Sequence, residues 1–191
     1  MFPLVVDLRD RRVVVIGAGR VSAQKVTPLL AAGARITIIT EEVLEPVSSA
    51  LESLVIRPYE YGDLEGAFLA VSATGDKEVN DRIVAEAGER NILLNVVDDA
   101  ARSNFFFTAV HRDGDVVVSV STEGASPALA QWVRDVVARV LPKNIAGVAR
   151  QLRVERHALH SSGQSTENLA WMARVEELIN VGDAVATSVV K

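Results

Sequence analysis

The sequence predicts an α/β fold, a parallel sheet with crossover helices in its N-terminal part. A small α+β segment and a mainly helical C-terminal region follow. Three observations predict this. Val13-Val14-Val15-Ile16 is an unbroken β-branched run, the mark of a strand buried on both faces. Strand-like runs then alternate with helical stretches to about residue 104, which implies βαβ units. Gly17-Ala-Gly19-Arg-Val-Ser22 falls where the first strand hands over to the first helix, the turn that defines a Rossmann-like dinucleotide domain.

Residues 20–32 carry helical spacing through Val21, Lys25, Val26, Leu29 and Leu30, and Gly33 stops the helix. Pro28 removes a backbone donor inside it and predicts a kink. Arg35–Thr40 reads as the second strand, 43–53 as a helix, Leu54–Tyr59 as a short strand and Phe68–Ala73 as another. A helix over Lys77–Arg90 then leads into a fifth strand, Ile92–Val97. Beyond 104 the pattern changes. Phe105–Val110 and Val116–Ser121 read as two strands joined through His111–Asp115, with Asp113-Gly114 suited to a hairpin turn. Ser126-Pro127 opens a helix, with Ser as N-cap and Pro at its first position, that runs to about Val140. Residues 143–180 read as mainly helical with a break at Ser161–Ser165, and the tail after Gly182 as frayed. The expected domains are residues 1–104 for dinucleotide binding, a hairpin–helix dimerisation segment at 105–142, and a helical region at 143–191.

Composition bounds the function. The 191 residues suffice for a buried core. A net charge of −5 argues against a general nucleic-acid binder, while leaving room for a local anion site. With no cysteine there is no disulfide, thiolate metal site or thiol nucleophile. The N-terminus reads neither as a signal peptide nor as a membrane span, and no run reaches about 18 apolar residues. The expected compartment is the cytoplasm.

The glycine motif has a physical logic. Gly17 serves a sharp turn, and Gly19 lets backbone approach a pyrophosphate closely. The helix start adds free N–H groups and partial positive charge. Glu41 and Glu42 follow the second strand, a little over 20 residues beyond the glycines. Carboxylates there can accept hydrogen bonds from the ribose hydroxyls and repel a 2′-phosphate, favouring NAD over NADP. Alternatively they are the acidic first turn of the next helix. Thr74 ends a later strand, on the edge where ligands of parallel sheets sit.

The motif order V-V-V-I-G-A-G-R-V-S-A-Q-K, A-T-G-D-K-E-V-N, N-V-V-D-D and S-V-S-T-E-G-A-S-P-A-L-A resembles the precorrin-2 dehydrogenase/sirohydrochlorin ferrochelatase family, the N-terminal module of siroheme synthases. The match spans about residues 3–142, and the separate methyltransferase domain of some siroheme synthases is lacking. The resemblance implies NAD-dependent oxidation of precorrin-2 to sirohydrochlorin, in some members with insertion of ferrous iron, by a homodimer. It implies catalysis by Asp98 and cofactor contacts from Arg20, Val21, Glu41 and Glu42. Where the family often has three successive glycines, this chain has Gly17-Ala18-Gly19.

Asp98 follows an apolar strand, and a partly buried carboxylate there can take the proton released on oxidation. A plain turn aspartate is the alternative. Asp99 suits an Asx cap of the next turn. Ser121, Thr122, Gly124 and Ser126 lie in a small polar loop opening a helix, which can offer backbone N–H groups to substrate carboxylates or serve as an ordinary cap. Arg102, Ser103 and Asn104 are further polar neighbours in sequence. His157 and His160 share a helical face without the other ligands of a metal site, and His111 falls at the expected hairpin end. Two other functions remain in competition: a bifunctional dehydrogenase and chelatase, and a noncatalytic dinucleotide sensor, which would need neither Asp98 nor the polar loop.

Overall fold

The computed structural model describes residues 1–44, 46, 48–167 and 169–188, with side chains to residue 180. The chain forms two units, one spanning Met1–Phe107 and the other starting at Thr108.

In the first unit, β1 (Arg12–Ala18), β2 (Arg35–Val43), β3 (Ser53–Ile56), β4 (Leu69–Ser72) and β5 (Leu93–Val96) form one parallel sheet in the order β3-β2-β1-β4-β5. From central β1 the chain builds outward to β2 and β3, then returns to the other side for β4 and β5. The strand order therefore reverses between β1 and β4, and their carboxyl ends flank the crevice where such sheets bind ligands. Val13, Val14 and Val15 are fully buried, as the continuous β-branched run predicts.

Their alternation divides the core. Val13 and Val15, with Ile36, Ile38, Leu69 and Val71, meet Val26 and Leu29 of helix α1 (Arg20–Ala31). Val14 and Ile16, with Ile39, Leu94 and Val96, meet Ile83 and Ala87 of helix α2 (Lys77–Glu89). Pro28 lies within α1, which continues to Ala31. Asp76 caps α2 by accepting from the amides of Glu78 and Val79.

The helix expected over 43–53 is absent among the described residues; Glu45 and Val47 lie outside them. Instead β2 runs on to Val43, which pairs with Ala18 beyond an irregularity in the register. Val43, Leu44 and Leu51 imitate a helical period, but Pro46 disfavours a helix around it and Ser48 accepts from the amide of Ala50 in a local turn. The β3–β4 crossover, residues 57–68, also lacks a helix. Tyr59 and Leu64 from this stretch fill the α2 face instead. Fully buried Glu86 of α2 anchors them, accepting from the Tyr59 hydroxyl and from the amides of Gly62 (3.0 Å) and Leu64 (3.3 Å).

A second difference concerns Phe105–Phe107, expected in a strand. Phe105 and Phe107 pack against the α1-side core with ring centroids 5.4 Å apart, and Asn95 donates to the Phe105 carbonyl. Burial of these rings holds the segment to the sheet, so β6 begins only at Ala109.

In the second unit, β6 (Ala109–Asp113) and β7 (Val116–Val120) form an antiparallel hairpin through Gly114 and Asp115, with Gly114 at φ +56°. His111 lies mid-strand opposite Val118 rather than at the turn. Helix α3 (Pro127–Val140) packs on this hairpin; α4 (Ile145–Ser161) contacts β7 and pairs with α5 (Trp171–Ser188). Ser126 caps α3 by accepting from the Leu129 amide, with Pro127 in the first turn.

Candidate functional site

Chemistry concentrates at the carboxyl edge of the five-stranded sheet. Gly17 has φ +100°, and a Cβ on it would lie 2.9 Å from the Ala73 carbonyl oxygen. Close passage of the loops after β1 and β4 thus explains this glycine entirely. Gly19 differs. It is the N-cap of α1 with ordinary φ −92°, and a Cβ there would meet nothing within 4 Å. Nothing among the described residues requires a glycine at this point.

Gly19 has no side chain to cap the helix, and no acidic residue occupies the first turn. The amides and partial positive charge at this start therefore remain suited to an anion. Buried Ser22 donates to the Gly19 carbonyl at 2.6 Å, which fixes the loop from below. Arg20 and Val21 are exposed on the first turn. Beside it opens a cavity of about 240 Å³, lined by Gly19, Ser22, Ala23, Ile38, Pro46 and Ser48 among others.

Glu41 and Glu42 are exposed in the extension of β2, and the Thr40 hydroxyl donates to the Glu42 carbonyl at 2.6 Å. Because no helix follows them among the described residues, the first-turn explanation for these glutamates falls away. Thr74 stands half-buried after β4, its hydroxyl accepting from the Asp76 amide and its carbonyl from Asn80 Nδ2. Asn80 also accepts from the buried Ser72 hydroxyl, so one side chain ties β4 to the loop.

Asp98 follows β5 in a tight turn closed by the Asp99 amide donating to the Val96 carbonyl. It adopts φ +60°, a left-handed conformation that aspartate tolerates better than most residues. The carboxylate is exposed rather than partly buried, because this turn carries the side chain off the end of the strand. Asp99 acts as an Asx cap, accepting from the Arg102 amide. Arg102 ion-pairs with Asp81 at 2.8 Å and Asp99 at 3.4 Å. Ser103 bonds to backbone at Val96 and Asp99, and Asn104 to backbone at Leu94 and Ile92. These three residues brace the loop below Asp98.

Lys25 was not singled out as a site residue by sequence reasoning. It sits half-buried on α1, its ammonium 4.4 Å from the centroid of the Phe107 ring. Burial lowers its pKa, and the nearby Asp98 charge opposes that shift. The available signal was a cation on the edge of the apolar stripe of α1.

The second unit carries the other expected residues. Thr122–Ala125 is a turn closed by the Ala125 amide donating to the Thr122 carbonyl, with Glu123 at φ +52° and Gly124 at φ +87°. The Ser121 hydroxyl accepts from the Glu123 amide, and the Thr122 hydroxyl from the Ser126 amide. Much of the loop's donor capacity therefore serves the loop itself. His157 and His160 are exposed on α4, and the described residues contain no group of three or more His, Asp or Glu placed to hold a metal. No helix among them is long and apolar enough to cross a membrane.

Comparison with known proteins agrees with this geometry. A family model described as "Putative NAD(P)-binding" matches residues 4–109. Siroheme synthase of Photorhabdus laumondii is 33% identical over 154 residues, covering 78% of this chain and 32% of the relative. Siroheme synthase of Buchnera aphidicola is 30% identical over 200 residues, covering 99% of this chain and 42% of the relative. A solved structure, "SirC, precorrin-2 dehydrogenase", superposes with TM-score 0.68 at 23% identity, covering 94% of this chain and 88% of that one. The chain belongs to this NAD(P)-binding family. As a member of that family it spans about a third to two-fifths of the length of these curated relatives. The family match covers all five strands of the parallel sheet and with them the glycine loop, Glu41, Glu42, Thr74 and Asp98. The Ser121–Ser126 loop lies beyond it.

Proposed function

We propose that this chain is an NAD-dependent precorrin-2 dehydrogenase that forms sirohydrochlorin on the route to siroheme. The observation that carries the reading is Gly19: a bare, uncapped helix start where a Cβ would meet no atom of the described residues within 4 Å. Such a position suits a nicotinamide dinucleotide, whose pyrophosphate needs both the amides and the absent Cβ. The names of the siroheme synthases and of SirC supply the substrate class.

Oxidation removes a hydride and a proton from the tetrapyrrole; the bound nicotinamide supplies the hydride acceptor. The residues of this chain do the rest. The first turn of α1, with Gly19, Arg20 and Val21, holds the pyrophosphate. Glu41 and Glu42 accept from the ribose hydroxyls, and their charge disfavours a 2′-phosphate. Thr74 borders the cleft on the β4 side. Asp98 takes the proton on a carboxylate oxygen and, being exposed, passes it to water. Ser121, Thr122, Gly124 and Ser126 are proposed contacts for substrate carboxylates. The chain is read as a cytoplasmic homodimer.

The test is to mix the folded protein with precorrin-2 and NAD and follow the sirohydrochlorin spectrum. NAD-dependent appearance of that spectrum is expected; its failure to appear overturns the reading. The exposure of Asp98 also suits it to accept pyrrole protons displaced by ferrous iron. Adding ferrous iron to the finished reaction tests this bifunctional reading, since siroheme formation above the protein-free rate supports it.

A further inference from the structure

We infer that Lys25 is a substrate-binding residue, a cation that takes a carboxylate of the tetrapyrrole beside Asp98. The inference rests on the dehydrogenase reading and adds a contact to it.

The placement of Lys25 follows from the packing of α1. Ser22, Val26 and Leu29 are the buried residues of that helix. Lys25, three residues after Ser22 and one before Val26, falls on the edge of the same face. There the stem is half-buried and the ammonium lies over the Phe107 ring at 4.4 Å. Phe107 is itself held against the core with Phe105, so the ring is a fixed floor for the cation.

An ammonium has three donors and no acceptor. Among the described residues none of those donors makes a hydrogen bond or close ion pair. The ring face and the more distant charge of Asp98 are what attract it. A cation that has given up part of its hydration for an aromatic face, with its donors unspent, is poised for an anionic partner. Asp98 lies close enough to act on it electrostatically, so an anion bound at Lys25 lies beside the proposed proton acceptor. A macrocycle bearing many carboxylates offers such a group at its rim while a ring carbon faces the nicotinamide. Free phosphate or the cofactor's own phosphates offer charge as well, but α1 presents those groups with its N-terminus, more than a turn away from Lys25.

The experiment compares wild type with Lys25→Met and Lys25→Arg. It reads the KM for precorrin-2, the Kd for sirohydrochlorin by its fluorescence, the Kd for NAD, and the melting temperature. Lys25→Met should raise KM and the sirohydrochlorin Kd by about tenfold or more, the loss of one charge-assisted hydrogen bond. NAD affinity should stay within about twofold. Lys25→Arg, which keeps the charge, should recover most of the tetrapyrrole affinity. Unchanged sirohydrochlorin affinity in Lys25→Met overturns the inference, as does a loss that NAD affinity and melting temperature share. Wild-type protein that binds sirohydrochlorin through Lys25 yet oxidises no precorrin-2 overturns the dehydrogenase reading and leaves this contact standing. Wild-type protein that does neither overturns both.

Discussion

Two glycines two residues apart show how differently the same residue type can be used. Gly17 is fixed by its neighbours, since a Cβ would strike the Ala73 carbonyl. Gly19 is fixed by nothing among the described residues. Gly19→Val should therefore fold with little loss of stability yet bind NAD at least about tenfold more weakly, because its branched side chain occupies the pyrophosphate's place. Calorimetric titration of the folded variant checks this, and wild-type affinity would remove Gly19 from the site. Asp98 allows an equally clean substitution. Asparagine also tolerates the left-handed φ of +60°, so Asp98→Asn keeps the turn while removing the proton acceptor. Precorrin-2 oxidation should slow by about 10²–10⁴-fold with NAD binding intact. Full activity in this variant would mean that the proton goes elsewhere, to water or another group.

Among elements, the tail of β2 is where the proposed preference for NAD is tested. Glu41 and Glu42 are exposed where the strand outlasts its expected end. Replacing both by serine should lower the KM for NADP relative to NAD by about tenfold, as the repulsion of a 2′-phosphate is lifted. Steady-state kinetics with each cofactor decide it, and an unaltered ratio would free these residues from the role. The α4–α5 pair has its own pH signature. Hydrogen bonds from Arg174, chiefly, hold the Glu155 carboxyl at about 2, below its ordinary 4.5. A depressed carboxyl stabilises the fold above its unfolded pKa and loses that contribution as pH falls toward the folded value. The contribution should thus fade between about pH 4.5 and about 2. It is modest, because solvent reaches both side chains. Glu155→Gln should flatten acid unfolding of these helices in that window, as circular dichroism would show. A wild-type acid limb would contradict it. Elements whose signals are local were legible in sequence: the buried run of β1, the Ser126 cap, the glycine turn. The stretch after β2 was not, because its apolar spacing suits a helix while the strand's partner, Ala18, is distant in sequence. Nor was the position of Phe105–Phe107, since burial in a core contributed by other elements leaves no mark on three consecutive phenylalanines. Lys25 was legible as a residue of α1 but not as a neighbour of Asp98, a relation that only the folded sheet creates.

At the scale of the whole molecule, the second unit exposes much apolar surface on its hairpin and first helix. Trp132 is 62% exposed, Leu129 49% and Val110 44%. A homodimer joined through the residues after about 104 would cover such a surface. Light scattering at low micromolar concentration should give twice the chain mass of 20.5 kDa, and Trp132→Glu should shift it toward the monomer. A wild-type monomer at that concentration would contradict the assembly.

The helix-free crossover between β3 and β4 sets a hierarchy of opening within the first unit. Central β1 is sealed from both sides, whereas β3 is a four-residue edge strand whose Ile56 is 65% exposed. With no helix on either side of it among the described residues, β3 rests on its ladder to β2 and on the loops that flank it. In amide hydrogen exchange this edge should form the shallow rung, breathing through small local excursions, while β1 and β4, interior to the sheet, should exchange only with global unfolding. The proposed pyrophosphate site lies in the sealed half, at the β1–β4 seam, and the proposed ribose contacts lie on the β2 side. The edge beyond Glu42 can thus rearrange around a bound adenosine without disturbing the register on which Gly17 and Ala73 depend.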